Sequence, residues 1–400
     1  MRIAMFYYAE TDTNAHGKLD RAIMRELCQD HDFTIFAMEF ENPNPERIRF
    51  VRVPRIRAPA CVVFVAFHLL APLTYIVHRL RHRARFDIVH FHDVDLAFGS
   101  VAYVQFCNRA FLNRSDGIPP WRGLRPMARW LDHRLRALVE GLILRRVQHV
   151  VLPSQGVADE LVRYCGAEIE TKITIIPNFA PIKRLTRPAS FDRSPIRAEQ
   201  GFEPDDLVIV FVALGHYERK GLPLLLEALA LVDESALKLL IVGGTVAAAQ
   251  PHLDRAATLG LGSRVKMIET RPDIGPYLWA ADLFALPSRY EAQPLVVYEA
   301  AAAGLPLLVT PVNGVIGLVE DGVDGWELRL DPDDIADKLR WCIQHRGKLQ
   351  EMGVRAATKA SAFDEASFGA HWRRYYASLE RPAGIESADE NGNLAAATGG

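Results

Sequence analysis

Two pairs of charged residues have the types and spacing for binding a polar, anionic ligand. Glu291 and Glu299 lie eight positions apart, and each carboxylate can accept hydrogen bonds from two adjacent hydroxyls, as sugars and riboses present them. Arg219 and Lys220 are adjacent and precede Gly221, and two cations beside backbone N–H groups suit a diphosphate. Taken singly, either pair is also consistent with ordinary solvated charges.

The elements around the two glutamates are predicted from apolar runs and from proline and glycine. Residues 282–288 form a short apolar run that predicts a buried parallel strand. Pro294 suits the first position of a helix and Gly304 suits its left-handed end. Glu291 is therefore expected in a strand-to-helix loop and Glu299 inside the helix. Ligands of open parallel sheets bind at this edge, where the strands end.

The pair of cations has a similar setting. Residues 207–214 predict a strand, Gly215 opens the loop that ends at Gly221, and residues 222–232 predict an amphipathic helix. Another strand over 237–242 ends at Gly243. No Gly-x-Gly-x-x-G sequence opens a strand-to-helix turn, which disfavours a dehydrogenase.

Glu291-x7-Glu299 and the sequence around it resemble the signature of the retaining glycosyltransferases of family 4. The resemblance covers about residues 1–380 and is strongest over 207–330. It implies an α/β protein of GT-B fold, with two Rossmann-like doubly wound domains that face a central cleft. It also implies an acceptor site in the first domain, a nucleotide-sugar site in the second, and reaction in the cleft between them.

Roles follow from the resemblance, position by position. Glu291 is expected to contact the transferred sugar and Glu299 the ribose, while Lys220 and Arg219 stabilise the departing diphosphate. The expected catalytic residues are Glu291, Lys220, Arg219 and His92. The expected donor-binding residues are Gly215, His216, Arg219, Lys220, Gly243, Arg271, Gln293, Pro294, Leu295 and Glu299. The expected acceptor-side residues are His16, Gly17, Asp93, Asn108 and Arg109.

No metal and no cofactor are expected. Asp93 and Asp95 form an Asp-x-Asp triplet, but such a triplet is common by chance and the resembling family works without a metal. The nucleotide diphosphate sugar is a substrate, and UDP, GDP and ADP offer the same ribose and diphosphate. We expect metal-independent transfer of a hexose-type sugar with retention of anomeric configuration.

Several positions depart from the family pattern. His216 stands where relatives often have Arg, Pro294 where they often have Gly, and Asn108 where many have His. The first loop, usually glycine-rich, offers only Gly17 beside His16. Two alternatives therefore stay open: a catalytically silent partner subunit that binds nucleotide sugar, and a nucleotide-sugar epimerase of the same fold.

The length suggests two domains. We predict an acceptor-binding domain over 1–181, a Pro- and Arg-rich linker over 182–205 and a nucleotide-sugar-binding domain over 206–363. A helix over 364–381 is expected to return to the first domain, and the small, polar residues 382–400 are predicted to be disordered.

The charge distribution points to a membrane surface. Residues 1–180 hold 24 Lys and Arg against 19 Asp and Glu, whereas residues 181–400 hold 23 against 30. Nine arginines and no acid occur over residues 47–85, around a 20-residue uncharged run over 58–77. We predict that this segment lies in an anionic membrane interface. A buried helix with a solvated basic flank and, less favoured, a spanning helix remain the alternatives.

The predicted location is cytoplasmic, peripheral at the inner face of the cell membrane. The five cysteines are widely spaced with no Cys-x-x-Cys, so neither a zinc site nor a disulfide framework is indicated. The N-terminal strand soon meets acids, unlike a signal peptide. The predicted partners are a nucleotide sugar and a glycan or lipid-linked acceptor for cell-surface polysaccharide or glycolipid synthesis, with no nucleic acid.

Overall fold

The structure is a computed structural model that describes residues 1–10, 15–114 and 124–380. The chain divides into two compact units. The first unit contains Met1–Asn178 and the described residues from Phe368 onward, and the second contains Phe179–Ser367. Each unit is built on one parallel sheet, as predicted for the fold class.

The sheet of the first unit has seven parallel strands in the order β3-β2-β1-β4-β5-β6-β7. The strands are β1 (Arg2–Glu10), β2 (Asp32–Phe40), β3 (Ile48–Arg52), β4 (Ile88–His92), β5 (Val101–Tyr103), β6 (His149–Leu152) and β7 (Ile173–Ile175). The helices between them are α1 (Ala15–Leu27), α2 (Ala60–His82), α3 (Asn108–Leu112), α4 (Leu124–Arg146) and α5 (Gln155–Cys165).

The second sheet has six parallel strands in the order β10-β9-β8-β11-β12-β13. These strands are β8 (Leu207–Val212), β9 (Leu237–Val242), β10 (Val265–Ile268), β11 (Leu283–Leu286), β12 (Leu307–Val309) and β13 (Gly325–Glu327). The helices are α6 (Ile182–Leu185), α7 (Ser194–Glu199), α8 (Leu222–Ala230), α9 (Val246–Thr258), α10 (Gly275–Ala280), α11 (Leu295–Ala302), α12 (Pro332–Gln344) and α13 (Arg346–Ala360).

Both sheets reverse their strand order at one point. The order runs outward in both directions from the first strand of each sheet, so β1 neighbours β4 and β8 neighbours β11. Such a reversal opens a crevice beyond the carboxyl ends of the two neighbouring strands, because their connections leave in opposite directions. The loops after β8 and β11 contain most of the predicted donor residues, and Asp93, a predicted acceptor-side residue, directly follows β4.

The predicted linker over 182–205 needs correction. This stretch forms α6 and α7 and belongs to the second unit. Leu185 is buried, and so is Arg197, whose guanidinium bonds the carboxylate of Asp282 at 2.7 Å. The segment is ordered because these side chains pack on the second sheet. The predicted disordered tail over 382–400 lies outside the described residues.

The last described helix, α14 (Glu365–Glu380), groups with the first unit from Phe368 onward. Trp372 and Tyr376 are fully buried there. A 2.6 Å hydrogen bond joins the Tyr376 hydroxyl and His90 Nδ1 on β4. The first unit therefore draws part of its core from the far end of the chain.

Candidate functional site

The loop between β8 and α8 depends on glycine for its close approach to β11. Gly221 has a φ of 79°, a conformation that glycine adopts without strain. A Cβ atom there would overlap the carbonyl oxygen of Pro287, just after β11. The Arg289 N–H donates to the Arg219 carbonyl at 2.8 Å. The two loops are therefore held against each other.

Glu291 lies between the two predicted cations. Its Oε1 is 2.9 Å from Lys220 Nζ and its Oε2 is 3.1 Å from Arg219 Nη1. The Ser288 hydroxyl donates to Oε1 at 3.1 Å, and the Arg219 guanidinium also donates to the Tyr290 carbonyl. Because the Glu291 side chain is buried, these contacts are well shielded from water.

The cations decide the ionisation of Glu291. Burial by itself would raise the pKa of this carboxyl, but the charges of Lys220 and Arg219 outweigh burial, and the pKa is lowered. Glu291 is therefore ionised at neutral pH. Two positive charges face one negative charge, so the cluster keeps a net positive charge that a diphosphate can neutralise.

Helix α11 carries the second glutamate to the same sheet edge. Pro294 is the residue before the first helical position, which is Leu295, one position later than predicted. Glu299 is half-buried within α11. Gly304 has a φ of 81° and ends the helix as predicted.

The other predicted donor residues follow neighbouring strands. Gly215 and His216, at φ of 126° and 56°, follow β8, and Gly243, at 102°, follows β9. The Tyr217 hydroxyl donates to the Gly243 carbonyl at 2.8 Å, which ties these two loops together. Gln293 is buried before α11, and Arg271 is exposed after β10. All ten predicted donor residues thus lie beyond the carboxyl ends of strands in one sheet.

A larger cavity of about 560 Å³ lies at the opposite edge of this sheet. Asp206, Asp282 and Gly304 line it, close to the starts of β8, β11 and β12. Asp282 is already paired with Arg193 and Arg197. This cavity is therefore remote from the Glu291 cluster in the fold of the second unit, despite its size.

The first unit has a cavity of about 330 Å³ at the carboxyl edge of its own sheet. The residues that line it include Tyr8, Gly17, Asp20, His92, Asp93, Asp95, Asn108 and Arg136. Of the predicted acceptor-side residues, the structure therefore brings together Gly17, Asp93 and Asn108, and it adds His92. The cavity is predominantly polar in its side-chain composition.

His92 is paired with a residue that the sequence did not suggest. Its Nε2 lies 2.7 Å from Asp20 Oδ1, and both side chains are buried. Burial raises the pKa of Asp20, with a further increase from Asp93, and burial lowers the pKa of His92. The pair therefore favours an overall neutral state with one proton in the shared hydrogen bond.

Arg136 bridges two aspartates in this cavity. Its Nη1 bonds Asp95 at 2.9 Å and its Nε bonds Asp132 at 3.1 Å. The guanidinium also lies over the rings of Tyr8 and Phe64, 5.4 and 4.8 Å from their centroids. Burial raises the pKa of Asp95 to about 6, although Arg136 opposes this increase.

Asp93 adopts an unusual backbone conformation at the end of β4. Its φ is 44°, in the left-handed region that few non-glycine residues occupy. The Gln105 N–H donates to Asp93 Oδ1 at 2.8 Å and so holds the side chain in place. Strained residues of this kind concentrate at functional sites.

Four of the residues predicted on the acceptor side have positions or contacts that the sequence did not predict. Arg109 does not line the cavity: its side chain donates to the carbonyls of Ala137 and Tyr164, each at 2.8 Å, and is held there between α4 and α5. Helix α1 begins at Ala15, so Gly17 is helical and not part of a loop. His16 is also helical, but its side chain lies outside the described residues. Asn108 is held by Glu140 and His133.

Comparison with protein families decides the affiliation of the chain. A family model described as Glycosyltransferase Family 4 matches residues 21–184, and one described as Glycosyl transferases group 1 matches residues 206–345. The chain belongs to glycosyltransferase family 4. The two matches together span about three quarters of this family-4 chain.

Curated relatives match part of the family-4 chain. The D-inositol 3-phosphate glycosyltransferase of Nocardia farcinica is 33% identical over 243 residues, 58% of this chain and 52% of that protein. The enzyme of the same name from Rhodococcus jostii is 31% identical over 242 residues, 57% and 52% of the two chains. The chain spans about half the length of the curated relatives it matches.

Solved structures share the fold over almost the whole chain. Sucrose-phosphate synthase from Thermosynechococcus elongatus has a TM-score of 0.75 at 17% identity, with 94% of this chain and 98% of that chain covered. WaaG, a glycosyltransferase involved in lipopolysaccharide biosynthesis, has a TM-score of 0.73 at 18% identity, with 95% and 100% covered. Anabaena HepE in complex with UDP and glucose has a TM-score of 0.71 at 19% identity, with 94% and 100% covered. These likenesses confirm the predicted GT-B fold.

Sequence reasoning missed three of the charged residues that line the cavity of the family-4 chain: Asp20, Asp132 and Arg136. No motif marks them, because they come from two helices far apart in sequence. The i,i+4 spacing of Asp132 and Arg136 is the one local signal that could have paired them. Across the described ranges, no group of three His, Cys, Asp or Glu could hold a metal ion.

Proposed function

We propose that this chain transfers a hexose from a nucleotide diphosphate sugar to an acceptor hydroxyl, with retention of anomeric configuration and without a metal. The observation that carries this proposal is Glu291 held between Lys220 and Arg219 at the point where strand order reverses. Relatives named as glycosyltransferases, and a neighbour of the same fold in complex with UDP and glucose, support it.

The chemistry follows from the charges in the cluster. The donor diphosphate takes Lys220 and Arg219 as counterions, and Glu291, released from them in part, accepts hydrogen bonds from the sugar hydroxyls. Glu299 accepts from the ribose hydroxyls. As the bond from the anomeric carbon to the diphosphate oxygen breaks, the two cations stabilise the negative charge on the leaving group. The acceptor oxygen then bonds the anomeric carbon on the same face, and its proton goes to the departing phosphate oxygen.

The direct test is turnover with UDP-, GDP- and ADP-glucose against a panel of acceptors. We expect Lys220→Ala and Glu291→Gln each to lower kcat by about 10²–10³, the range for loss of one group that stabilises transition-state charge. Lys348→Ala, a change at an exposed lysine of the second unit, should leave kcat unchanged. NMR of the product should show the anomeric configuration of the donor.

The rival functions give different results in the same assay. An epimerase alters the sugar of the donor with no acceptor present. A silent subunit binds nucleotide without any turnover. Wild-type kcat in both variants would contradict the proposed roles of Lys220 and Glu291.

The proposal includes an acceptor at a membrane surface, and helix α2 is the observation that favours it. An 18-residue window of this 23-residue helix has a mean hydropathy of 2.2, so the helix is long and apolar enough to cross a membrane by length and composition. One face is buried, with Phe64, Phe67 and Tyr75 packed in the first unit. The other face exposes a row of large apolar side chains at helical spacing: Val62, Val65, Leu69, Leu73, Ile76 and Leu80.

Helix α4 has the same character and packs against α2. It exposes Met127, Leu131, Leu138 and Leu142, again at multiples of about one turn. Exposed arginines flank both rows, among them Arg79, Arg81, Arg134 and Arg145. An apolar row with flanking arginines fits an interface of anionic lipid. A membrane-spanning position of α2 is disfavoured, because it would break the contact between the rings of Phe67 and Tyr8, whose centroids are 4.6 Å apart.

Vesicle flotation tests the membrane proposal. We expect the protein to float with anionic vesicles and to float less with neutral vesicles or at high salt. Leu69→Glu with Leu73→Glu should abolish flotation, because both side chains are more than half exposed and neither supports the core. Val354→Glu, at an exposed apolar residue of the second unit, should have no effect. A protein that stays in the soluble fraction with every vesicle would overturn this part.

A further inference from the structure

The cavity of the first unit is acidic. Asp20, Asp93, Asp95 and Asp132 line it, and Arg136 is the one Lys or Arg among the described residues that do so. That guanidinium is already bonded to Asp95 and Asp132. A phosphate entering here would meet carboxylates and a cation whose charge is already neutralised, which disfavours binding.

Two residues that line this cavity each carry a buried polar atom with no hydrogen-bond partner among the described residues. These atoms are Asp132 Oδ1, an acceptor, and Gln105 Nε2, a donor. Their residues are 8% and 6% exposed, so such atoms are costly to leave unpaired. The Gln105 side chain is fixed in orientation, because its Oε1 accepts from Asn178 at 2.7 Å.

A hydroxyl group can satisfy an unpaired atom of either kind. It donates one hydrogen to an acceptor such as Asp132 Oδ1 and accepts from a donor such as Gln105 Nε2. A fully ionised phosphate only accepts, and it therefore cannot bond Asp132. Tyr8 and Phe106, which also line the cavity, supply ring surface for the C–H faces of a sugar or cyclitol.

We infer that the acceptor group entering this cavity is an uncharged polyol, a sugar or cyclitol without phosphate or carboxylate, bonded by Asp132 and Gln105. This inference rests on the proposed function and narrows its acceptor. The inferred acceptor differs from the D-inositol 3-phosphate in the names of the curated relatives, because it carries no phosphate. Asp95 and Asp132 act as specificity residues, because they occupy Arg136 and so exclude anions.

The test uses matched neutral and phosphorylated probes on the full chain: myo-inositol with its 3-phosphate, and glucose with its 6-phosphate. Saturation-transfer NMR reports binding without any need for turnover. We expect at least one neutral probe to bind about tenfold more tightly than its phosphorylated partner. The carboxylates of the cavity repel the phosphate, and the phosphate replaces a hydroxyl that could donate a hydrogen bond. Gln105→Leu should weaken the binding of that neutral probe by a similar factor.

A gain of binding makes the test specific. Asp95→Asn combined with Asp132→Asn frees Arg136, and we expect the phosphorylated probe to bind this variant but not the wild type. Asp159→Asn, at an exposed acid of the same unit, is the matched control and should behave as the wild type. Thermal melting verifies that each variant is folded.

The inference is overturned if the wild type binds both members of a pair equally, prefers the phosphorylated member, or binds neither. Nucleoside diphosphate binding, measured on the same samples, reports on the second unit alone. If the wild type binds nucleotide but does not prefer the neutral probe, only the acceptor class is refuted. If the wild type binds no nucleotide, the proposed function itself is refuted.

Discussion

At the scale of single residues, the proposed reaction requires Glu291 and the donor diphosphate to share the same two cations. Glu291 pairs with both Lys220 and Arg219 in the structure, so neither the buried carboxylate nor the two cations are left unpaired. Diphosphate binding must therefore weaken these ion pairs. The carboxylate that is proposed to contact the sugar therefore also holds the two cations in position.

The Asp95 carboxyl offers a residue-scale prediction. Its pKa is raised to about 6 by burial, with Asp93 adding to the increase. NMR titration of the carboxyl carbon should show this value, and Asp93→Asn should lower the pKa because one neighbouring negative charge is lost. An Asp95 that titrates near its ordinary pKa in the folded protein would contradict the described burial.

The same shift makes stability depend on pH. A folded-state pKa above the unfolded value means that Asp95 favours folding below about pH 4. That contribution is lost as the pH rises through about 6. The free energy of unfolding, measured with urea at several pH values, should therefore fall less between pH 4 and 6 in Asp95→Asn than in the wild type.

At the scale of elements, the proposed donor site depends on two strand-to-helix loops that touch. The β8–α8 loop can approach the β11–α11 loop because Gly221 has no side chain toward Pro287. That contact brings Lys220 and Arg219 to a glutamate 71 positions away. The position of the two cations relative to Glu291 therefore depends on the contact between the two loops.

Gly221→Ala tests this arrangement. The new methyl must displace the Pro287 carbonyl, so we expect a loss of stability of about 2–4 kcal/mol, above the 1–2 kcal/mol of left-handed strain alone, and weakened nucleotide binding. Gly260→Ala is the matched control, since Gly260 has a φ of 75° with no atom within 4 Å of the new Cβ. Equal effects of both changes on nucleotide affinity would argue against the loop contact.

The sequence predicted β8, β9 and β11 of the second unit, because continuous apolar runs mark these strands and glycine or proline marks their ends. It did not predict the ion pairs of Glu291, which join two loops far apart in sequence. The order of α7 also depends on a distant residue, Asp282. In the first unit, no local pattern specifies which of many arginines meets Asp95, so the polar cavity was only partly anticipated.

At the scale of the whole molecule, the chain closes the first unit with its last described helix. Trp372 of α14 is fully buried, and its ring lies 5.5 Å from that of His90 on β4 and 4.9 Å from that of Tyr103 on β5. Residues more than 250 positions apart therefore share one core. The first unit is complete only when the chain is.

Trp372→Ala should destabilise the first unit by about 3–5 kcal/mol, the usual cost of removing a large buried aromatic side chain. Amide hydrogen exchange localises the effect: exchange should accelerate in β1, β4 and β5, while β8 and β11 of the second unit keep their protection. Trp341→Ala, at a half-buried tryptophan of the second unit, should give the reverse pattern. Acceleration confined to the second unit in Trp372→Ala would contradict the assignment of α14.

The most direct test of the central claim is calorimetric titration with UDP, GDP and ADP of the wild type, Lys220→Ala and Glu291→Gln. If Glu291 and the diphosphate compete for the same cations, Glu291→Gln should bind the preferred nucleotide more tightly than the wild type, and Lys220→Ala more weakly, each by about tenfold or about 1.4 kcal/mol. Turnover should fall in both variants. Weaker binding in Glu291→Gln, or unchanged binding in Lys220→Ala, would contradict the shared-cation account.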